Sequence, residues 1–198
     1  MRLSQTESVT VAGLLLAAGS GSRFGGPKAL FEWEGRSLLE RGVDLLRQGG
    51  CDPVVVVLGA SAELARPLAG DSLVVVAQDW ADGMGASLRA GLAALEPSDA
   101  QACVVALVDQ PLVGVAAVRR LVAVAGATAA VATYGGKPLN PVLLARPTWR
   151  AVGALAVGDV GARPWLRAHA PEVLLVACDD TGSADDLDTP EDLDRLRS

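Results

Sequence analysis

The sequence predicts an α/β fold, a mostly parallel sheet of about seven strands with helices on both faces. Two observations carry this. Short continuous apolar runs recur at 9–16, 54–58, 73–77, 103–108, 129–133, 141–144 and 173–177, as strands buried on both faces require. Helix-like stretches alternate with them at 37–48, 60–68, 82–95 and 113–125, an alternation that implies right-handed crossovers and a parallel sheet.

The elements follow in order. The first run feeds a Gly-rich loop, and the second, Val54 to Leu58, ends at Gly59. The helix beginning near Asp82 places Met84, Leu88, Leu92 and Leu95 on one face, the spacing of an amphipathic helix. The run ending at Val108 stops before Pro111, which cannot continue a central strand. Beyond residue 133 the alternation loosens. Gly135, Gly136, Pro138 and Pro141 flank the sixth run, which is expected to pair antiparallel. Helices are expected at 148–155, 162–168 and 190–196, the last capped by Thr189 with Pro190 at its first position and acids in its first turn. No repeat or linker divides the chain, so residues 1–198 read as one domain.

Composition excludes several classes. Hydrophobic residues at 51% and charged residues at 20% describe a globular chain, not a disordered one. No apolar segment approaches the roughly 20 residues that span a bilayer, and no cleavable leader is visible, so a soluble, cytoplasmic protein without membrane contact is expected. Cys51, Cys103 and Cys178 are widely spaced in apolar context and read as small core residues. With His169 the single histidine, His-based metal sites and a Ser-His-Asp triad have no support. A net charge of −6 argues against nucleic acid as a partner. It still admits an anionic ligand, because screening confines exposed charges to about 8 Å.

Four motifs carry chemistry. The loop after the first strand contains Leu16, Ala17, Ala18, Gly19, Ser20, Gly21, Arg23 and Lys28. Its glycines let backbone N–H groups close on an anion, and Arg23 and Lys28 add positive charge. Two familiar templates fail there. Phe24 stands at the third glycine position of a dinucleotide fingerprint, and Lys28 lies between Pro27 and Ala29, not in Gly-Lys-Ser/Thr. The second motif is Asp109-Gln110-Pro111 after a buried strand. Its carboxylate shares the carboxyl edge of the sheet with the loop and suits Mg²⁺, which takes one or two carboxylates plus phosphate oxygens. The third, Asp186 and Asp188 before the last helix, offers a second metal carboxylate or else a solvated acidic loop. The fourth, Asp82, Gly83 and Ser87, crowds small residues at a helix start, where free N–H groups admit a base, ribose or phosphate. Asp82 as a plain N-cap is the competing account.

With these motifs in register, the chain resembles the MobA-like nucleotidyltransferases, and among them the molybdenum cofactor cytidylyltransferases. The resemblance also takes in Asn140-Pro141-Val142-Leu143, the Gly158-Asp159-Val160-Gly161-Ala162-Arg163 stretch and Asp186 through Asp192. It implies a three-layer Rossmann-like fold that joins a nucleoside triphosphate to a phosphorylated small-molecule acceptor and releases pyrophosphate. Lys28, Arg23 and Asp109 would be catalytic, Mg²⁺ the cofactor on Asp109 with Asp188 or Asp186, and Asn140, Asp159 and Gly161 the acceptor side. Within the family Leu-Ala-Ala-Gly, here Leu16 to Gly19, goes with cytidine, so CTP is expected, and Ala18 would fill space that a purine needs. Molybdopterin is then the implied acceptor, and a molybdoenzyme or its chaperone the transient partner. The chain departs from the pattern at Leu139-Asn140-Pro141, where cytidylyltransferases commonly carry Gly-His-Pro. Three alternatives stand beside this reading: another nucleotide or acceptor, a nicotinamide-dependent oxidoreductase of the nicotine-blue type, and a nucleotide-binding module without turnover.

Overall fold

The computed structural model describes residues 9–22, 24–189 and 191–192. Its strands are β1 (Val11–Ala17), β2 (Glu32–Trp33), β3 (Arg36–Ser37), β4 (Val54–Leu58), β5 (Leu73–Val76), β6 (Ala102–Leu107), β7 (Ala129–Tyr134), β8 (Lys137–Ala145) and β9 (Val173–Ala177). The helices are α1 (Leu38–Gln48), α2 (Ala62–Ala65), α3 (Met84–Leu95), α4 (Val115–Ala123), α5 (Trp149–Leu155) and α6 (Arg163–Ala168). Seven strands form one sheet in the order β5-β4-β1-β6-β8-β7-β9, and β2 and β3 form a separate hairpin. The α/β fold and mostly parallel sheet are as expected.

Pairing is parallel throughout except at β8, which runs antiparallel to both β6 and β7. The antiparallel sixth run is therefore present, but longer than 141–144, because the exposed residues Lys137 and Pro138 extend it into a hairpin with β7. The β2–β3 hairpin left no signal in the sequence, since two-residue strands show no periodicity.

Period-two alternation divides the core between two faces. Leu15, Val54, Val56 and Leu58 point to one face, where Leu39, Val43 and Leu46 of α1 and Val118 and Leu121 of α4 meet them. Leu14, Leu16, Val55 and Val57 point to the other, against Leu88, Leu92 and Leu95 of α3, Trp149 and Val152 of α5 and Trp165 of α6. Each fully buried leucine contributes about 1.5–3 kcal/mol of burial energy. Helix α1 starts at a capping box: Ser37 Oγ accepts the Glu40 N–H, and Glu40 accepts the Ser37 N–H. The expected helix at 190–196 falls mostly outside the described residues. At its start the Asp192 carboxylate accepts the N–H groups of Asp188 and Thr189. No helix among the described residues is long and apolar enough to cross a membrane.

Candidate active site

Strands β1 and β6 are neighbours, with Leu16 opposite Leu107. Their carboxyl ends therefore deliver the Gly-rich loop and Asp109 to the same point. There Lys28 Nζ donates to Asp109 Oδ2 at 2.9 Å and to Asp188 Oδ1 at 2.6 Å. Burial lowers the pKa of the Lys28 ammonium, but the charge of Asp109 and the hydrogen bonds to Asp188 and Asp109 outweigh it and leave the group above its ordinary value. The Lys28 side chain is 13% exposed and that of Asp109 25%, so the pair is shielded far more than a surface ion pair.

The third member arrives on a segment laid along residues 109–113. Ser183 N–H donates to Leu112 O at 3.0 Å, Leu187 N–H donates to Asp109 O at 2.8 Å, and Val113 bridges Gly182. Leu187 is fully buried against Trp33 and Leu38, which fixes the chain between the two aspartates. Asp188 then faces Lys28, while Asp186 takes a different partner. Gln110, 6% exposed, donates through Nε2 to Asp186 Oδ1 at 2.9 Å and to Ala184 O at 3.0 Å. Burial first, then the charge of Asp109, pushes the Asp186 carboxyl above its ordinary range, with the Gln110 hydrogen bond opposing. Among the described residues no three His, Cys, Asp or Glu side chains converge as a metal group. The donor set nonetheless suits a hard divalent cation: two carboxylates from separate segments already share one cationic group, and Mg²⁺ needs no more than that beside phosphate oxygens.

The Gly-rich loop is partly closed on itself. The N–H groups of Phe24, Gly25 and Gly26 donate to Gly21 O at 2.9, 3.0 and 3.2 Å. Gly21 sits at φ 62°, and a Cβ there would lie 1.8 Å from Gly26 O, so only glycine permits the turn. Exposed Gly19 and Ser20 precede this turn, and among the described residues no hydrogen bond occupies their N–H groups. Leu16, Ala17 and Ala18 are buried beneath them. Arg23 lies outside the described residues.

The start of α3 departs from expectation. Gly83, not Asp82, is the N-cap, and Asp82 is exposed in the preceding turn without capping it. Small residues there make room for the chain itself. Gly85 N–H donates to Gly158 O at 2.8 Å, and a Cβ on Gly83 or Gly85 would meet Gly158 or Ala156 backbone at 2.5 and 2.4 Å. Ser87 is buried. The turn thus anchors the 156–161 segment, whose Asp159 and Gly161 reach the side expected to take an acceptor.

That side is a cleft of about 730 Å³ across the sheet face. Asn140, Asp159 and Gly161 all line it, together with Leu16, Gln110 and Asp186. Its apolar walls include Val105, Val131, Val142 and Leu166, and Lys137, Arg163 and Arg167 also line it. Gln110 carried no sequence signal as the partner of Asp186, although it sits inside the Asp109 motif.

With this geometry in hand, the chain matches the MobA-like NTP transferase domain over residues 13–179. It belongs to that family. MobA-like relatives of this chain include the nicotine blue oxidoreductase of Paenarthrobacter nicotinovorans, 38% identical over 98% of this chain and 100% of that protein. Another is purine catabolism protein PucB of Bacillus subtilis (strain 168), 30% identical over 93% and 95%. Among solved structures, Rv0371c from Mycobacterium tuberculosis H37Rv superposes with a TM-score of 0.83 at 30% identity, covering 96% of this chain and 100% of that one. The same protein is known in complex with manganese, with a TM-score of 0.80 at 31% identity, covering 95% and 98%.

Proposed function

We propose that this MobA-like chain, acting as a single cytoplasmic domain, transfers CMP from CTP to the phosphate of a small-molecule acceptor, molybdopterin, and releases pyrophosphate. The observation that carries this reading is the Lys28 ammonium held between Asp109 and Asp188 beside the open end of the Gly-rich loop. Such transfer depends on positioning and charge neutralisation more than on a side-chain nucleophile. Lys28 and the N–H groups of Gly19 and Ser20 hold the triphosphate, with Arg23 as a further cation. An acceptor phosphate oxygen attacks the α-phosphorus in line. The bond from that phosphorus to the α–β bridging oxygen breaks, and its electron pair leaves with pyrophosphate. Asp109 and Asp188 would hold a divalent cation, which supplies charge neutralisation between donor and acceptor oxygens. Ala18, buried at the base side of the loop, leaves room for a pyrimidine. Asn140 and Asp159 orient the acceptor in the cleft, and a molybdoenzyme or its chaperone would take up the product.

The test measures pyrophosphate release from CTP, Mg²⁺ and molybdopterin, with Asp109→Ala as the diagnostic variant. Loss of release with an unchanged melting temperature is the expected result, and undiminished release in the variant sinks the assignment of Asp109. A second reading, a nicotinamide-dependent oxidoreductase, is favoured by the full-length similarity to nicotine blue oxidoreductase. Hydride transfer to a dye has no evident need for two carboxylates around a cation, which is why it ranks second. Saturable NADPH binding without CTP stabilisation would reverse that ranking, since a ligand of the native state raises the melting point.

A further inference from the structure

Gln110 follows Asp109 directly and is only 6% exposed. Both N–H bonds of its amide reach across to the facing segment, to Ala184 O at 3.0 Å and Asp186 Oδ1 at 2.9 Å. Its own Oε1 finds no partner among the described residues. A methionine would fill the same space without leaving a buried acceptor unpaired. The amide is therefore better explained by what it holds than by what it adds to the core.

What it holds is one of two neighbouring carboxylates. Asp186 and Asp188 lie on a single segment, and Asp186 is close enough to feel the charges of Asp109, Asp188 and Lys28. Leu187, buried between them, fixes the main chain, with its N–H on Asp109 O at 2.8 Å. It does not fix the side chains on either side of it. An ammonium has three N–H donors, and among the described residues Lys28 uses two, one on Asp109 and one on Asp188. The third leaves a place that Asp186 could take. Mg²⁺ working on phosphates takes one or two carboxylates and leaves its other positions to substrate oxygens and water. A third carboxylate would tighten the hold on the cation and fill a position that the substrate needs.

We infer that Gln110 is a positioning residue of the reaction centre. It holds Asp186 on the wall of the cleft, which both residues line, and so limits the carboxylates around Lys28 and a divalent cation to Asp109 and Asp188. The catalytic purpose of that limit rests on the nucleotidyl-transfer reading, whereas the limit itself is a property of cation binding alone.

Mn²⁺ is the probe, titrated into the full chain without nucleotide or acceptor and followed by the electron paramagnetic resonance of the free ion. Gln110→Met removes both donors and frees Asp186 to join the set. This variant should bind Mn²⁺ about tenfold tighter than the wild type, the scale on which groups behind metal ligands act. In an Asp186→Asn background the same substitution should change Mn²⁺ affinity by less than about twofold, because the residue it acts through is gone. A role confined to packing predicts instead weaker Mn²⁺ binding, a lower melting temperature and no dependence on Asp186. Weaker or unchanged binding in Gln110→Met, or a tightening that persists beside Asp186→Asn, overturns the proposal. Should Gln110→Met lose its melting transition, Gln110→Glu carries the same comparison, since it keeps the shape and replaces the donor with an acceptor that repels Asp186. If the wild type releases no pyrophosphate while Mn²⁺ binding follows this pattern, the transfer reading falls and the role of Gln110 stands.

Discussion

The two halves of the sheet handle charge in opposite ways. On the β1–β6 side, Lys28 is satisfied by Asp109 and Asp188, and the loop turns three of its N–H groups back onto Gly21. Towards β9 the sheet face opens into a wide cleft lined by Val131, Val142 and Val173. The edge strand there also leaves Leu174 and Leu175 exposed. The first half is closed by its own ion pairs, and the second stands open. A pre-assembled cluster suits a reaction centre, where reorganisation is costly. An incomplete cleft suits selection of a substrate.

The largest effect that would break this contrast is at Gly21. A Cβ there collides with Gly26 O, so Gly21→Ala should displace the loop and cut turnover by about 100-fold, the scale of a misplaced reacting group. The strands should remain intact, so the melting temperature should change little. A collapse of the melting transition would show that the loop holds up the sheet as well as the site.

A smaller effect is expected from Ser37→Ala, which removes the capping box under α1. Loss of such a cap costs about 1 kcal/mol, a fall in melting temperature of roughly 2–4 °C for a chain of this size. Acceptor-side binding should not respond.

The finest comparison uses thiols. Burial pushes the Cys51 thiol up to about 12 from its ordinary 9.0, and burial raises Cys103 and Cys178 as well. A thiol raised in the folded state contributes stability that is present below its unfolded value. For Cys51 that contribution falls progressively as pH rises above the ordinary 9.0 and is gone by about 12. Native protein at pH 8 should therefore react slowly with a disulfide reagent at all three positions, and quickly in guanidinium. Cys178, next to the edge strand β9, should label before Cys51 and Cys103, which lie in the sheet interior and against it. The reverse order would place the looser half on the wrong side.

Much of this was legible in the sequence. Continuous apolar runs marked the seven strands of the sheet; double-sided burial accounts for β1, β4 and β6, whereas the edge strands β5 and β9 are apolar although partly exposed. Lys28 and Asp109 were legible because a loop and a carboxylate each follow a buried strand. Asp188 over Asp186 was not, since the choice depends on Leu187 burying against Trp33 and Leu38 and on the amide of Gln110. At Gly83 the sequence offered room for a ligand, and the structure sets the backbone of Gly158 against it, because a gap for backbone reads the same whichever molecule fills it.

The reversed direction of β8 has a consequence of its own. Because β8 runs against its neighbours, its first residues rise at the carboxyl edge, where Lys137 and Pro138 join the lining of the cleft just after the Gly135–Gly136 turn. A parallel strand there would have needed a crossover helix whose packing is shared with the rest of the core. Among the described residues the two-residue hairpin tip is held by one outside hydrogen bond, from Gly135 N–H to the Asp179 carboxylate, so the turn is tied to the segment after β9 and not to the Lys28 cluster.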